Sequence, residues 1–330
     1  MDDSVRERVD RQEFDVEVRQ VFTAHQRHTM GPRTINPGLP FENWTYFMAM
    51  EIVSWGNILA AGGLATAKTV FGGSFSQVGQ ALERYTEFRL RNVGRIVENA
   101  AKKSDADFDS DGSGVSARTA LRILDEGSYS DEEIVQEYLG GVLASSRTPG
   151  ARDDRGNTFG GIISGLSRYE LRFHYLVYSG IRDALKGQNI RLTMGMEVDR
   201  DGVVVLRLQE VLDKMEFGDD EDIASLLSYC VNALSQQELL SWKVYGNDVD
   251  TLRLLLPGLG QDQLASVEPV LIVQPTILGV FLYLWAHGKG QLNIQAFLDP
   301  DLELHPFEGV AKPVNVHRVA DFVRSFSPSA

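Results

Sequence analysis

Apolar residues recur at helical spacing through the middle of the chain. Residues 168–187 carry two apolar stripes, one of Leu171, Tyr175, Tyr178 and Leu185 and the other of Tyr169, Phe173 and Val177. A helix that is apolar on two sides contacts neighbours on both, so this segment is predicted to lie at the centre of its domain. Ser167 and Glu170 have the spacing of a capping box and predict where the helix begins.

A second predicted helix contains two adjacent glycines. Residues 130–145, SDEEIVQEYLGGVLAS, place apolar side chains on one face and Gly140 and Gly141 in the middle. Each glycine costs about 1 kcal/mol relative to alanine inside a helix. We therefore predict that a crossing helix approaches the backbone closely at this pair. Ser130 and Glu133 repeat the capping-box spacing and predict that the helix begins there.

Strand patterns are found in the last third of the chain. Residues 190–208 contain two runs around an Asp-Arg-Asp-Gly turn, which predicts a β-hairpin. Residues 269–273, PVLIV, predict a short strand, and an apolar helix at 276–288 follows it. Helical spacing also continues through residues 220–240. The predicted fold class is α+β and predominantly α-helical, with a helical core, a small β-hairpin and a short C-terminal strand-helix module.

Changes in composition divide the chain into five predicted segments. They are a charged N-terminal helix or tail with a linker (1–40), a segment of small-residue and basic helices (41–104), an acidic linker (105–114), a central helical core (115–190) and an α+β C-terminal module (191–330). Stretches rich in Pro, Gly or acidic residues separate the helical patterns, as expected of linkers.

The overall charge bears on the choice of partners. With 46 acidic against 32 basic residues, the net charge is −14. A strongly acidic protein repels polyanions, which argues against duplex nucleic acid as a partner. The single cysteine, Cys230, lies in an apolar helical pattern and is interpreted as a buried core residue. It allows no disulfide within the chain, and the charged N-terminus lacks the apolar segment of a secretory signal, so we expect a cytoplasmic protein.

The loop RTPGARDDRG (147–156) combines paired charges with turn-forming residues. Asp153 and Asp154 could together hold Mg²⁺, and Arg152 and Arg155 could meet a phosphate group. Metal sites usually draw ligands from several elements, and no run of His, Asp and Glu elsewhere completes this one. The sequence therefore favours a salt-bridged surface turn, with an aspartate capping the next helix. Neither a metal nor another cofactor is expected.

Two histidines lie in or beside predicted apolar helices. His174 falls between apolar positions of the central helix, where a hydrogen-bonded core histidine is commoner than a catalytic one. The alternative joins His174 with Asp153 and Asp154 in a catalytic site. His287 follows the apolar helix of the C-terminal module, where its charged form would complement the helix dipole.

The acidic linker carries part of a calcium-loop pattern. Asp107, Asp109, Asp111 and Gly112 occupy positions one, three, five and six of such a loop. However, the position that should supply a bidentate glutamate holds Arg118. The three aspartates are candidate metal ligands, but the pattern favours a solvated acidic linker.

Two further stretches are candidate contact surfaces. Residues 52–82 are rich in Gly, Ala and Ser and carry one charge, Lys68. We interpret them as a tightly packed helix pair, with insertion into a membrane as the alternative. The helix that follows gathers Arg84, Arg91 and Arg95 toward one side, which predicts either a solvated face or an anion-binding surface.

The order of these patterns resembles a known family. The stretches concerned are RLRNVGRIVENAAKK (89–103), ALRILDEGSYSDEEIVQEYLGGVLASS (120–146), GIISGLSRYELRFHYLVY (161–178) and VQPTILGVFLYLWAHG (273–288). This succession resembles the abortive-infection alpha (Abi-alpha) group of bacterial proteins. In that group a basic helix precedes a Leu-Leu-Ala-Ser-like stretch, a Leu-Ser helix and a late Thr-x-x-Gly segment. Here residues 142–145, 166–167 and 276–279 hold those places.

The resemblance implies antiviral defence, in which an intracellular protein halts or kills a phage-infected bacterium. It supplies no catalytic residues to transfer. We therefore expect a defence protein that binds a phage component or a partner protein through Arg152, Arg155 and the basic helix. The alternatives are a membrane-damaging effector that inserts residues 52–82 and a metal-dependent hydrolase or nuclease built on the charged loop. The sequence leaves both a monomer and an oligomer open.

Overall fold

Segments with a helical apolar pattern form most of the structure. The computed structural model describes residues 76–104, 113–188, 190–192, 202–310 and 313–326. Within these ranges the α-helices are α1 (Ser76–Lys103), α2 (Ala117–Ser128), α3 (Glu133–Ser145), α4 (Arg155–Ser164), α5 (Arg168–Leu185), α6 (Leu208–Met215), α7 (Ile223–Gln236), α8 (Val249–Leu255), α9 (Gln261–Ala265), α10 (Ile277–Ala286) and α11 (Val319–Arg324). A 3-10 helix spans Ile294–Leu298.

Short strands connect the helices and pair in two sheets. In the described ranges the strands are β1 (Ser113–Gly114), β2 (Thr148–Pro149), β3 (Val204–Arg207), β4 (Leu240–Gly246), β5 (Val270–Pro275) and β6 (Val316–Arg318). β1 pairs with β2, and the other four form an antiparallel sheet in the order β4-β5-β3-β6. The predicted α+β class with predominantly helical content is confirmed.

The four-stranded sheet separates two apolar clusters, because successive side chains of a strand point to opposite faces. In β3, Val204 and Leu206 belong to the main core, whereas Val205 belongs to a smaller cluster. That smaller cluster includes Leu252 of α8 and Phe322 of α11. The helices of the main core therefore cover one face of the sheet, and the short C-terminal helices cover the other.

Helix α5 lies at the centre of the main core, as its two apolar stripes predict. It contacts α3, α6, α7, α10 and β6. Phe173 and Tyr178 are fully buried although they lie on different stripes. The predicted capping box is present at its start. The Ser167 hydroxyl accepts a hydrogen bond from the Glu170 N–H, and the Glu170 carboxylate accepts one from the Ser167 N–H.

The glycine pair of α3 lies where two other helices pass close to its backbone. A Cβ on Gly140 would stand 2.6 Å from Cβ of Asn99 in α1, and a Cβ on Gly141 would stand 1.7 Å from the carbonyl oxygen of Ala286 in α10. Nonbonded carbon atoms keep about 3.5–4.0 Å apart. Only glycine therefore permits both approaches, and the packing interpretation of the pair is confirmed.

The start of α3 differs from its prediction. The helix begins at Glu133, and Glu132 before it makes no side-chain cap. The Ser130 hydroxyl accepts a hydrogen bond from the Glu132 N–H, ahead of the helix. The predicted capping box of Ser130 and Glu133 is therefore wrong, because a cap at Ser130 requires a helix that starts two residues earlier.

The end of α7 also differs from its prediction. The helix stops at Gln236, and Glu238 adopts a left-handed backbone conformation with φ of 58°. The chain then continues as β4, which pairs with β5. Residues 237–240 carry a helical pattern, but only Leu240 pairs with β5. The N–H groups of residues 237–239 bond to carbonyl oxygens of residues 233–235, and the left-handed Glu238 ends the helix.

Of the two strands of the predicted β-hairpin, the structure describes the second, which is β3. The first strand of this hairpin corresponds to residues 190–198; residues 190–192 are described and form no strand, and residues 193–198 lie outside the described ranges. β5 pairs with one edge of β3 and β6 pairs with the other. The partners of β3 thus come from segments far along the chain.

Several predicted features lie outside the described residues. They are the segment 1–40, the small-residue stretch up to residue 75 and the linker aspartates Asp107, Asp109 and Asp111. Among the helices that are described, none is both long enough and apolar enough to cross a membrane. Helix α1 belongs to one compact unit up to Phe88 and, from Arg89 onward, to the unit that contains the remaining described elements.

Candidate functional site

The charged loop forms a turn that is closed by its own ion pair. The Asp153 carboxylate accepts hydrogen bonds from Nε and Nη2 of Arg155 at 3.0 and 2.6 Å and from the Arg155 N–H at 3.0 Å. Gln291 Nε2 donates a further bond to it at 3.0 Å. The Arg155 guanidinium holds the pKa of Asp153 well below its usual range. The predicted salt-bridged turn is confirmed. The predicted capping aspartate is not seen in its usual place: Asp154 stands at the N-cap of α4 without a side-chain cap hydrogen bond, and the Arg155 N–H is bound by Asp153 instead.

Two further charges of this loop, Arg152 and Asp154, face solvent. Arg152 is exposed, and the Asp154 carboxylate stands 3.9 Å from the Arg118 guanidinium at the surface. Arg155 is engaged on two further sides, with Nη2 donating to Gln291 at 2.8 Å and the guanidinium 5.5 Å from the Trp285 ring centroid. Of the two arginines predicted to meet a phosphate group, Arg155 is held by Asp153 and Gln291, whereas Arg152 is exposed.

His174 is a core residue and stands apart from the loop aspartates. Its side chain is fully buried, with Nδ1 2.6 Å from the Tyr138 hydroxyl and Nε2 3.2 Å from the Gly279 carbonyl oxygen. A neutral ring with its proton on Nε2 satisfies both contacts. Burial lowers the pKa of His174 to about 3. The structure therefore does not bring His174 together with Asp153 and Asp154.

His287 is also buried and neutral. Its Nδ1 lies 2.8 Å from the Tyr283 carbonyl oxygen, and its side chain is almost fully enclosed. Burial, reinforced by the nearby Lys103 charge, lowers the pKa of His287 to about 3. The prediction that a charged His287 complements the dipole of α10 is therefore wrong, because desolvation outweighs the attraction of the helix end.

These two histidines predict a loss of stability in mild acid. Each is neutral in the folded chain, whereas in the unfolded chain its pKa returns to about 6.5. As the pH falls below that value, the two histidines bind protons in the unfolded state but not in the folded state. The free energy of unfolding therefore decreases until the pH reaches the folded-state pKa of about 3. The expected slope between pH 6 and pH 4.5 is about 1.4 kcal/mol per pH unit for each histidine.

Urea denaturation at a series of pH values measures this slope. In His174→Gln we expect about half of it to disappear, because one of the two buried histidines no longer titrates. His305, whose side chain is exposed, supplies the control His305→Gln, which should keep the full slope. An unchanged slope in His174→Gln would contradict the assignment.

A buried ion pair lies near these histidines. The Lys103 ammonium, at the end of α1, stands 2.5 Å from Oε2 of Glu137 and donates to the carbonyl oxygens of Glu137 and Ala286 at 2.7 and 3.1 Å. Both side chains are at most 5 % exposed. Burial lowers the pKa of Lys103 to about 8, with Glu137 opposing the shift, so the ammonium is charged at neutral pH.

The basic helix keeps two of its predicted arginines free of ion pairs. Arg91 and Arg95 are exposed, and no ion pair joins either to another described residue. Arg84 lies in the part of α1 whose side chains are not described. Arg89, on the same helix, instead pairs with Asp125 at 2.7 Å, and its guanidinium lies 4.3 Å above the Tyr129 ring.

An open groove lies between α2, α3, α4 and the start of α5. It has a volume of about 530 Å³, and its lining consists of Glu126, Tyr129, Ser130, Glu132, Val135, Leu139, Ile163, Ser164, Leu166 and Arg168. The lining therefore combines apolar side chains with polar and charged ones. Such a mixture suits a ligand or protein segment that is itself partly apolar.

Charges line the rim of the groove. Arg168 pairs with Glu132 at 2.8 Å and lies 3.8 Å from Glu221. Burial raises the pKa of Glu126 although Arg122 stands 3.0 Å away. Tyr129 is 53 % exposed. Because Arg89 lies over the Tyr129 ring, the groove adjoins the side of α1 that carries Arg89. Arg91 and Arg95 come two and six residues later, which places them on a different side of this helix.

Sequence patterns do not reveal this groove. In the sequence, its apolar residues have the spacing of ordinary core positions of α3 and α4, and its polar residues lie near helix ends. The short connection between α2 and α3 was a signal for a concave surface, since it holds an exposed aromatic residue, Tyr129, between two helix termini.

In the described ranges, the side chains that could bind a metal do not cluster. Across these ranges, no group of three or more His, Cys, Asp or Glu residues could hold a metal ion. Cys230 is buried, and burial raises the pKa of its thiol to about 12, so the thiolate that nucleophilic chemistry requires is not formed near neutral pH.

Comparison with known proteins adds no relative. No protein family, curated protein or solved structure matches this chain. The resemblance to Abi-alpha proteins therefore stays a prediction from the sequence patterns.

Proposed function

We propose that this protein is a cytoplasmic antiphage defence protein of the abortive-infection type, and that it acts by binding a phage component or a partner protein. The defence role rests on the resemblance to the Abi-alpha group. The choice of binding over catalysis is supported by one observation above all, the open groove with its mixed apolar and charged lining. His174, in contrast, is closed to solvent, and the Asp153 carboxylate is engaged by Arg155.

The groove together with the adjoining basic helix is the proposed recognition surface. Tyr129 contributes an exposed aromatic ring, a residue type that often dominates binding energy. Arg91 and Arg95 add positive charge on a protein whose net charge is −14. These two arginines lie on a different side of α1 from Arg89, so their charge acts on an acidic partner from a distance and raises the association rate more than the affinity.

Removal of the Tyr129 ring is expected to abolish protection. Truncating an aromatic anchor at a recognition site costs about 2 kcal/mol, or roughly thirtyfold in affinity. We expect phage to plate on bacteria that express Tyr129→Ala as they do on bacteria without the protein, whereas the unaltered chain reduces plaques and causes early death of infected cells. Plating efficiency and host survival are the measurements.

Tyr229 supplies a matched control. It is 62 % exposed and lies on α7, away from the groove lining. Tyr229→Ala therefore removes the same ring from another surface and should protect as well as the unaltered chain. Full protection by Tyr129→Ala, or equal loss in both variants, would exclude the groove as the recognition surface. Unchanged plating of a broad phage panel on the unaltered chain would contradict the defence role.

The two alternatives make different predictions. A membrane-damaging effector would appear in the membrane fraction of infected cells, because residues 52–82 would insert. A metal-dependent hydrolase or nuclease would lose its biological effect when Asp153, Asp154 and His174 are replaced by alanine in a chain that still folds. Binding through the groove predicts neither result.

A further inference from the structure

Residues 303–310, here called the strap, cross the buried ion pair as an irregular segment. Phe307 is the one fully buried side chain of the strap, at 4 % exposure, and Pro306 and Glu308 on either side of it are exposed. Leu304 and Val310 are partly buried against the main core. The strap is thus attached chiefly by a single aromatic side chain.

The Phe307 ring fills a cage of aromatic rings and one cation. It stacks on Tyr175 and His287 with ring centroids 4.4 and 4.6 Å away, and Tyr138 meets it edge-on at 5.3 Å. The Lys103 ammonium lies 4.1 Å from the ring centroid. Stacked, edge-on and cation–π contacts together select a flat aromatic group over an aliphatic one of the same size.

Polar contacts hold Glu308, the residue after Phe307, and the peptide group between these two residues. The Glu308 carboxylate accepts hydrogen bonds from the Lys102 ammonium at 3.0 and 3.1 Å, and the Glu308 N–H donates to Oε1 of Glu137 at 3.4 Å. The features recognised are therefore an aromatic ring, a carboxylate on the next residue and the peptide group between them.

The strap has few other contacts that would prevent its release. Among the described residues, no backbone–backbone hydrogen bond joins residues 303–310 to the rest of the chain. Its ion pair with Lys102 is exposed to solvent. Segments with few buried contacts and few backbone hydrogen bonds open at a lower free energy than the whole protein unfolds.

We propose that the cage is a binding site for an aromatic side chain followed by a carboxylate, and that the strap is its occupant within this chain. A partner protein with an exposed Phe-Glu or Phe-Asp segment displaces the strap by occupying the same cage. The site is separate from the groove, and the inference does not depend on the role in phage defence.

Binding of a peptide to a chain that lacks the internal ring tests this proposal. The peptide ELHPFEGV, which has the sequence of residues 303–310, is added with a fluorescent label to the full-length Phe307→Ala variant. We expect saturable binding at or below about 1 mM. The unaltered chain should bind the peptide at least about tenfold more weakly, because its own Phe307 competes at a high effective concentration.

Variants of the peptide and of the chain distinguish the cage from non-specific adhesion. Replacing the peptide's Phe with Ala should abolish binding. Replacing its Glu with Gln, or changing Lys102→Met in the chain, should each weaken binding several-fold, because either change removes the same ion pair. If the alanine variant does not unfold cooperatively, the same binding measurements are made on Phe307→Leu. This variant keeps an apolar group in the cage.

Two results would overturn the proposal. One is the absence of saturable binding of ELHPFEGV to a cooperatively folded Phe307 variant at about 1 mM peptide. The other is equal binding of the Phe and Ala peptides. Neither result bears on the plating experiment with Tyr129→Ala, so the two proposals fail independently.

Discussion

Replacing Gly141 with alanine is expected to lower the free energy of unfolding by about 3 kcal/mol or more. The added Cβ would lie 1.7 Å from the carbonyl oxygen of Ala286 and 2.1 Å from its carbonyl carbon. Both atoms belong to the backbone of α10, so no side-chain rotation relieves the overlap. The helices α3 and α10 must separate, and the contacts between them are lost. Urea denaturation monitored by circular dichroism measures the change.

Gly94 is the matched control, since it also lies inside a helix, α1. Apart from the backbone of α1 itself, no atom of the described residues stands within 4 Å of a Cβ added there. Gly94→Ala should therefore raise the free energy of unfolding by about 0.5–1 kcal/mol, because alanine loses less backbone entropy than glycine when a helix forms. Similar effects of the two substitutions would show that α10 does not pass α3 at the distance seen here.

Breaking the buried ion pair is the second change with a large expected effect. Lys103→Met leaves the Glu137 carboxylate buried without its cation, and Glu137→Gln leaves the Lys103 ammonium without its anion. Removal of one partner from a buried pair costs about 3–5 kcal/mol. We expect each single variant to lose stability in that range, as measured by urea denaturation at neutral pH.

The double variant Lys103→Met/Glu137→Leu should recover a large part of this loss. Neither charge then remains buried, and apolar residues of similar size fill the space. Lys102, the neighbouring lysine, is the control. Its partners Glu98 and Glu308 are exposed, so Lys102→Met should change stability little. Equal effects of Lys102→Met and Lys103→Met would contradict the burial of the Lys103 charge.

Some elements could be predicted because their signals are local. The two apolar stripes and the capping box of α5 depend on residues within one short segment, and the structure contains both. The Gly140-Gly141 pair could be interpreted as packing because glycine inside a helix has a known cost. The ion-paired turn at Asp153 and Arg155 likewise depends on neighbours within the loop.

Other elements could not be predicted because distant residues decide them. Residues 237–240 carry a helical pattern, yet the helix ends at Gln236 and the chain pairs with β5 from Leu240 onward. Position in the sequence places His287 at a helix end, where a charge is favourable, but enclosure by the core makes it neutral. Burial depends on which segments cover a residue, and sequence spacing alone does not contain that information.

The amino-acid sequence by itself determined the predominantly helical α+β class, the central position of α5 and the close approach at the glycine pair. These follow from periodicity and backbone sterics, which act over a few residues. Only the tertiary structure decided the groove beside Tyr129, the neutral state of the buried histidines, and the cage that joins Phe307 to Lys103. Their residues come from segments far apart in the chain, and packing energy is gained only when those segments meet.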